Sequence, residues 1–282
     1  MHVIRSASGM QQLALSEKRR GRRIGFVPTM GCLHEGHLSL VKLAREKSDL
    51  VVLSIFVNPI QFLPGEDFAR YPRPVERDEA LCREAGVDVI FYPEPSSFYA
   101  PDHSVYVEET LLSIVLCGAS RPGHFRGVTT VVAKLFNITL PDVAVFGQKD
   151  AQQSRIIQRM VRDLNIPVEI ILGPIRREVD GLALSSRNQY LSTTERQDAL
   201  CLYRALQAAE QLTVAGERSV ERIRSTLIEA ISSVPSAQID YVQIVDNETL
   251  QPLVRIDGPA LLALAVRIGV TRLIDNRVLC PP

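Results

Sequence analysis

The alternation of short apolar runs with amphipathic helical patterns, which continues over the first 175 residues, constrains the fold of this chain most strongly. Strands are predicted from the apolar runs at 24–27, 50–57, 87–92, 104–107, 143–146 and 168–172. Helices are predicted between most of them, at 36–48, 75–85, 128–138 and 151–164. Strands that alternate with helices pair in parallel through right-handed crossovers. The pattern therefore predicts an α/β fold whose first domain, residues 1–175, holds a Rossmann-like parallel sheet.

The pattern changes after about residue 175. Ser192 and Glu195 have the spacing of a capping box, which predicts a long helix from there to about residue 212. A second helix and two strands are then predicted, at 219–232, 239–245 and 261–268. We expect a smaller α+β domain over residues 176–282 that acts as a lid, with a hinge at 173–183.

The charge balance and the cysteines exclude several classes of function. The chain carries 32 basic and 32 acidic side chains, and a net charge of zero argues against a nucleic-acid partner. The basic run at 18–23 is interpreted as a solvated helix end and turn. Five scattered cysteines without a C-x-x-C pair indicate neither a disulfide framework nor a zinc site. No apolar stretch approaches the about 18 residues of a membrane span, so we expect a cytoplasmic protein with no membrane partner.

Two histidines, His34 and His37, lie where the predicted strand 24–27 gives way to the helix 36–48. The N-terminus of a helix presents unpaired N–H groups and the positive end of its dipole, which favour an anion such as phosphate. Two imidazoles add donors for charge that grows on phosphate oxygens during a reaction. The zinc motif H-E-x-x-H places its histidines four apart, whereas these are three apart, so zinc is not expected. The predicted core positions of the helix are Leu38, Val41 and Leu43.

Short sequence blocks along the whole chain indicate which protein family the two histidines belong to. His34-Glu35-Gly36-His37 resembles the HxGH signature of the nucleotidylyltransferase superfamily, which several enzyme families share. The flanking blocks, in their order and separation, resemble those of one family within it, the pantoate–β-alanine ligases. These blocks lie at 28–31, 56–62, 121–127, 146–153, 181–188 and 272–276.

The resemblance implies an ATP-dependent ligase. In that family the carboxylate of (R)-pantoate attacks the α-phosphorus of ATP, which gives pantoyl adenylate and diphosphate. The amine of β-alanine then displaces AMP and forms pantothenate. ATP is a substrate in this reaction and reacts as its Mg²⁺ complex. Members of the family are dimers joined through the larger domain, so a homodimer is the expected assembly.

The same resemblance assigns the nucleotide contacts. Stabilisation of charge on the phosphates is assigned to the catalytic residues His34, His37, Lys149 and Arg187. The full set of expected ATP contacts is Met30, Gly31, Cys32, Leu33, His34, Glu35, Gly36, His37, Gly147, Gln148, Lys149, Asp150, Arg176, Leu184, Ser185, Ser186 and Arg187. Arg176 stands where other members often have a small apolar residue beside the adenine, and this departure is harmless if the contact is made through the backbone.

The remaining assignments concern the acid, the amine and the metal. Gln61 and Gln153 are the pantoate contacts that the resemblance implies, and an amide suits a hydroxy-acid because it offers both a donor and an acceptor without adding charge. Gln61 is also the expected β-alanine contact. No pair of carboxylates has a spacing that declares magnesium ligands, and Asp78 is named only for a water-mediated contact. The sequence does not identify the group that accepts the proton of the amine.

Two other functions are compatible with parts of the pattern. An adenylyltransferase that stops at a dinucleotide would share the HxGH motif, but it has no use for the blocks around Gln61 and Gln153. A non-enzymatic nucleotide-sensing or nucleic-acid-binding module would account for the basic run at 18–23. A product assay with and without β-alanine tests the first function, and the salt dependence of nucleic-acid binding tests the second.

Overall fold

The structure is a computed structural model that describes all 282 residues, Met1–Pro282. The chain forms two compact units. The first unit comprises residues 1–113, 121–148 and 153–174, and the second comprises 114–120, 149–152 and 175–282. The second unit thus takes up two short segments that lie, in sequence, between parts of the first unit.

The first unit is built on a six-stranded sheet in which every pair of neighbouring strands is parallel. Its strands are β1 (His2–Ile4), β2 (Ile24–Thr29), β3 (Leu50–Ile55), β4 (Val89–Phe91), β5 (Val143–Gly147) and β6 (Glu169–Gly173). Their order in the sheet is β1-β4-β3-β2-β5-β6. The predicted α/β fold with a parallel sheet is confirmed.

Ten α-helices and three further strands complete the chain. The helices are α1 (Ala7–Arg19), α2 (Glu35–Lys47), α3 (Val75–Glu84), α4 (Pro95–Phe98), α5 (Cys117–Ser120), α6 (His124–Thr139), α7 (Ala151–Asp163), α8 (Thr193–Asp198), α9 (Leu200–Val214) and α10 (Val220–Ser232). The strands are β7 (Ala237–Asp246), β8 (Ala260–Ile268) and β9 (Thr271–Leu279). None of the helices has the length and apolar character that crossing a membrane requires.

The order of the strands reverses between β2 and β5. From β2 the chain proceeds outwards through β3 to β4, and it then returns to place β5 on the other side of β2. In a parallel α/β sheet, ligands bind outside the carboxyl ends of the strands at such a reversal. The loops that follow β2, β3 and β5 therefore lie where a substrate of the first unit is expected.

The second unit has a core of its own, in which α9 and α10 pack against an antiparallel sheet with the order β7-β8-β9. Leu206 and Ile223 from the helices and Leu264 from β8 are fully buried. This agrees with the smaller α+β body expected after about residue 175.

Helix α2 packs with a partly different set of side chains from the predicted one. Leu40, Val41 and Ala44 are buried, whereas Leu38 and Leu43 are only half-buried. Positions i, i+1 and i+4 lie on one face of a helix, and Leu40 completes that face. The prediction is confirmed at Val41, and the other two predicted positions lie at the margin of the buried face.

The predicted strand at 104–107 is wrong, because this segment is irregular and pairs with no strand. Its backbone bonds to α6 instead: the Val107 N–H donates to Thr130 Oγ1 at 3.0 Å, and the Val107 carbonyl accepts from Thr129 Oγ1 at 2.5 Å. Val105 is 77% exposed. Threonine side chains of the helix thus take the place of a neighbouring strand.

Other differences concern the ends and the number of elements. Helix α6 begins at His124, before the predicted start at 128. The long helix predicted after Ser192 is two helices, α8 and α9, although the capping box between Ser192 and Glu195 is confirmed. Strands β1 and β9, the short helices α4 and α5, and all of α1 except its end in the basic run were not predicted. Strand β1 has only three residues, too few for a periodicity to show.

The basic run at 18–23 lies at the end of α1 and in the turn that follows, which confirms its interpretation. Lys18 bonds to Asp142 at 2.6 Å, and Arg20 bonds to Glu17 at 2.8 Å. These two positive charges are therefore neutralised within the first unit.

Candidate active site

The conformation of the loop that follows β2 is fixed by two residues of its own motif, Thr29 and Gly31. Thr29 Oγ1 donates to the Ser54 carbonyl at 2.7 Å and accepts from the Gly31 N–H at 3.1 Å. Gly31 has φ +83°, and a Cβ at this position would lie 2.9 Å from Ile55 Cγ2. Glycine is required here because the backbone is left-handed and there is no space for a side chain.

Asp78, on α3, holds the next part of this loop. It is 1% exposed, and its two oxygens accept hydrogen bonds from the Cys32 and Leu33 N–H groups at 2.7 and 2.8 Å. Burial raises the pKa of this carboxyl above its ordinary value, although the two backbone donors and Arg77 act in the opposite direction. The structure contains no cluster of three or more side chains that would hold a metal ion. Asp78 therefore holds the loop, and its water-mediated contact with magnesium stays a prediction.

His34 and His37 form a reciprocal cap on the N-terminus of α2. His34 Nδ1 accepts from the Gly36 N–H at 3.1 Å, and His37 Nδ1 accepts from the His34 N–H at 3.3 Å. The centroids of the two rings lie 4.0 Å apart. A ring nitrogen that accepts a hydrogen bond carries no hydrogen, so each neutral imidazole has its hydrogen on Nε2. The cap thus selects the same tautomer for both histidines.

This arrangement suits an anionic ligand. The positive end of the α2 dipole adds to the two Nε2–H groups, whereas the His34 and Gly36 N–H groups are used by the cap itself. Neither ring has to gain or lose a proton in order to donate a hydrogen bond. The loop is therefore suited to stabilise charge that develops on phosphate oxygens.

The amide of Gln61, in the loop after β3, is fixed in one orientation. Its Oε1 accepts from Asn58 Nδ2 at 3.0 Å, and its Nε2 donates to Met30 Sδ at 3.1 Å. Asn58 is 1% exposed and is itself held, because its Oδ1 accepts from the Tyr99 hydroxyl at 2.9 Å. Burial raises the pKa of Tyr99, which keeps this hydroxyl a donor. The structure thus brings together two expected site residues, Gln61 and Met30, from the loops after β3 and β2.

The block after β5 contains two adjacent glutamines in different environments. Gly147 ends β5 and Gln148 follows it, at the same sheet edge as the loops after β2 and β3. Gln152 is buried, and its side-chain oxygen accepts from the Cys117 N–H at 2.9 Å. Gln153 is half-buried on the first turn of α7. The block therefore holds one structural glutamine beside the expected pantoate contact Gln153.

In the second unit, β9 supports Lys149 through the adjacent residues Asp275 and Asn276. Asn276 Nδ2 donates to the Lys149 carbonyl at 2.9 Å. Asp275 is 3% exposed and accepts two hydrogen bonds from Arg177, at 2.6 and 2.9 Å. Arg177 also donates to the Gly181 carbonyl at 3.0 Å. Strand β9 thus anchors both the short segment that contains Lys149 and Asp150 and the segment around Arg177.

The segment Ser185 to Arg187 follows in the same unit and is ordered by its own side chains. Ser185 caps a 3-10 turn, Ser186–Tyr190, and its Oγ accepts from the Arg187 N–H at 3.3 Å. The Leu184 N–H donates to the Arg176 carbonyl at 2.9 Å. The backbone of Arg176 is therefore fixed, and its contact with adenine stays a prediction.

The class of protein follows from these observations. A parallel sheet whose second strand leads into paired histidines at a helix N-terminus defines an α/β protein of the HxGH type. Residues 2–278 match the model of the family described as Pantoate-beta-alanine ligase. The chain belongs to the pantoate–β-alanine ligase family, as the sequence predicted.

Its similarity to known members extends over the whole chain. The pantothenate synthetase of Thermotoga petrophila is 56% identical over 99% of this chain and 100% of its own, and that of Heliobacterium modesticaldum is 58% identical over 99% of both. The crystal structure of pantothenate synthetase from Thermus thermophilus has a TM-score of 0.95 at 46% identity and covers 100% of both chains. That of pantoate-beta-alanine ligase from Francisella tularensis, complexed with beta-gamma ATP and beta-alanine, has a TM-score of 0.82 at 34% identity and covers 99% of this chain and 97% of its own.

Sequence reasoning missed the residues that hold the site. Asn58 lies in a block used for the resemblance, but it had no role there. A polar residue directly after the apolar run 50–57 was a usable signal for it. Tyr99 gave no such signal, because its bond to Asn58 spans 41 positions of irregular chain and helix.

Proposed function

We propose that this protein joins (R)-pantoate to β-alanine at the expense of ATP and releases pantothenate, AMP and diphosphate. Its membership of the pantoate–β-alanine ligase family supports this reaction. The observation that carries the proposal is the cap in which His34 and His37 present Nε2–H donors at the N-terminus of α2. A protein that only binds a nucleotide needs hydrogen-bond donors for its phosphates. Two donors that stay protonated while negative charge develops on the phosphate oxygens are useful only if a reaction takes place there.

In the first step, a carboxylate oxygen of pantoate attacks the α-phosphorus of ATP, and the bond from that phosphorus to the bridging oxygen of diphosphate breaks. Catalysis is proposed to depend on holding pantoate and ATP so that the attacking oxygen, the α-phosphorus and the leaving oxygen lie in line. His34, His37, Lys149 and Arg187 are proposed to stabilise the phosphate charge. This step needs no general base, because the attacking carboxylate is already ionised.

Nucleotide contacts are proposed for segments of each unit, taken separately. In the first unit these are 30–37 and 147–148, and in the second they are 149–150, Arg176 and 184–187. ATP is proposed to enter as its magnesium complex, in which phosphate oxygens and water would supply the ligands of Mg²⁺.

Gln61 and Gln153 are proposed to bind pantoate, and Gln61 also β-alanine. The fixed orientation of the Gln61 amide supports its assignment, because its oxygen and its nitrogen present opposite polarity at set positions. In the second step the amine nitrogen of β-alanine attacks the acyl carbon. The bond from that carbon to the oxygen of AMP breaks, and the nitrogen loses a proton.

The assembly is proposed to be a cytoplasmic homodimer joined through the first unit. Val105 and Leu111 of this unit are 77 and 61% exposed, and Tyr106 beside them is 41% exposed. Large apolar side chains that are close in sequence and exposed together are typical of a surface that another chain covers.

The test of the reaction is a product assay with and without β-alanine. With MgATP and pantoate alone, labelled diphosphate should exchange into ATP, because the adenylate forms without the amine. Addition of β-alanine should release AMP and pantothenate in equal amounts. Heavy oxygen in the pantoate carboxylate should appear in AMP. Release of ADP and phosphate, or a dinucleotide as the final product, would contradict the proposal.

A further inference from the structure

The block Arg121-Pro122-Gly123-His124-Phe125-Arg126-Gly127 carried part of the family resemblance, but no residue in it has a role in the reaction described above. In the structure, this block forms the start of α6 and lies against the loop that contains Gln61. His124 is 8% exposed, and its Nδ1 lies 2.8 Å from the Gln61 carbonyl oxygen. A carbonyl only accepts hydrogen bonds, so His124 donates from Nδ1.

Arg121 holds the same loop at a second point. Its Nε and Nη2 donate to the two carboxylate oxygens of Glu66 at 2.6 and 2.7 Å, and its Nη2 also lies 3.5 Å from the Gln61 carbonyl oxygen. Glu66 accepts in addition from the Leu63 N–H at 3.0 Å. The side chains of Arg121 and Glu66 are 15 and 24% exposed, so water screens this ion pair only partly. The pair closes the loop just beyond Gln61.

Gly127 provides a third point of contact, made by backbone alone. A Cβ at Gly127 would lie 2.5 Å from the Ile60 carbonyl oxygen and 2.7 Å from Gln61 Cα. The Gly127 carbonyl also accepts from Asn58 Nδ2 at 3.0 Å, the same amide group that donates to Gln61 Oε1. The absence of a side chain therefore lets α6 touch the loop directly, next to the residue that orients the Gln61 amide.

We propose that Arg121, His124 and Gly127 are positioning residues that act on pantoate binding through Gln61. His124 and Gly127 lie three positions apart, on one side of the first turn of α6, and Arg121 lies just before this helix begins. Gln61 is held at its carbonyl, its Cα and its side-chain oxygen. It therefore loses little further conformational freedom when the acid binds. The inference rests on the proposed assignment of Gln61 to pantoate.

The decisive variants are His124→Ala, which removes the donor, and His124→Asn, whose Nδ2 stands at the place of histidine Nδ1 and keeps it. In the pantoate-dependent exchange of diphosphate into ATP, His124→Ala should raise the KM for pantoate by about tenfold, the effect of losing one hydrogen bond. The KM for ATP should stay within about twofold, and His124→Asn should restore most of the pantoate affinity. A purely structural role would instead lower the amount of active enzyme and leave both KM values unchanged.

Lys18→Met provides the matched control. It breaks the ion pair between Lys18 and Asp142, which lies at the end of α1 in the same unit and has the same length, 2.6 Å, as the pair between Arg121 and Glu66. It should leave both KM values unchanged. If His124→Ala does not fold, Arg121→Lys replaces it, since lysine keeps the charge but cannot donate to both oxygens of Glu66. The expected effect of Arg121→Lys is again confined to the KM for pantoate.

A double-mutant cycle with Gln61→Ala shows whether the effect passes through Gln61. His124→Ala should cost about tenfold in the wild type and less than about twofold when Gln61 is already alanine. An equal cost in both backgrounds, or no cost in either, would overturn the inference. If Gln61→Ala itself leaves the KM for pantoate unchanged, the assignment of Gln61 to the acid is wrong and the inference falls with it. The single variant Gln61→Ala thus separates a failure of the proposed site from a failure of the positioning residues.

Discussion

At the scale of single residues, the direction of each hydrogen bond decides what the histidine cap can do. Both Nδ1 atoms accept backbone N–H groups, so a ring that takes up a second proton at Nδ1 loses its bond to the backbone. Rings that keep these bonds can donate only through Nε2, and in the proposed reaction they need no proton transfer.

Replacement of His37 by alanine should lower the rate of adenylate formation by about 10²–10³, the cost of removing one donor to a charge that develops in the transition state. The KM for ATP should change little, because the lost contact strengthens only during reaction. Single-turnover measurement of adenylate formation at saturating pantoate, over a range of ATP concentrations up to saturation, gives both quantities. His2→Ala is the control, since His2 is exposed on the edge strand β1. An unchanged single-turnover rate in His37→Ala would remove this residue from the mechanism.

Glu66 gives the site a dependence on pH that the sequence did not suggest. Burial raises the pKa of Glu66, but the hydrogen bonds from Arg121 and the Leu63 N–H outweigh it, so the pKa lies below its ordinary value of 4.5. A carboxyl with a lowered pKa stabilises the folded state above its unfolded pKa, and this stability is lost as the pH falls through the folded pKa.

Glu66→Gln should therefore be less stable than the wild type by about 1–3 kcal/mol at neutral pH, and this difference should shrink as the pH falls below about 4.5. Urea unfolding of both proteins across that range measures it. A difference that stays constant with pH would show that the charge of Glu66 does not contribute.

At the scale of elements, the sequence predicted the helices and strands whose apolar residues recur with a regular period. It missed the segments and side chains whose structure depends on one partner distant in the chain. The strands β2 to β6 of the parallel sheet and the helices α2, α3, α6 and α7 have a clear period and lie within a few residues of their predicted positions, whereas β1 and α1 were missed. The segment 104–107 has the composition of a strand, but hydrogen bonds from α6 hold it in irregular form. The histidines and glutamines of the candidate site were found through motifs, whereas Asp78 and Tyr99 act over 46 and 41 positions and leave no local pattern.

Strand β9 offers a prediction at this scale. Asp275→Asn should destabilise the second unit by about 3 kcal/mol, because it leaves the guanidinium of Arg177 without its charged partner in a mostly buried position. Asp257→Asn breaks a comparable bond to Arg255, at 2.9 Å, whose side chains are 68 and 62% exposed. This control should change stability by less than about 0.5 kcal/mol. Urea unfolding of the two variants compares them directly, and equal losses would contradict the anchoring role of β9.

At the scale of the whole molecule, the assembly can be tested without reference to activity. The double variant Val105→Asp, Leu111→Asp should convert the proposed homodimer into a monomer, because it places two charges on the exposed apolar segment of the first unit. Light scattering coupled to size-exclusion chromatography measures the mass of each species. Val254→Asp, at a position that is 90% exposed in the second unit, should leave the assembly unchanged. A wild-type monomer, or a double variant that remains dimeric, would contradict the proposed surface.

The loops after β2 and β3 are supported from different parts of the first unit. Asp78 of α3 holds the histidine loop, whereas α6 holds the Gln61 loop, and the two loops meet where Gln61 donates to Met30. Selection for a different carboxylic acid can therefore act on α6 and the loop it supports while the phosphate chemistry is inherited intact. In a laboratory lineage evolved towards new acids, we expect the early substitutions to accumulate at 58–66 and 121–127 and to spare 29–37.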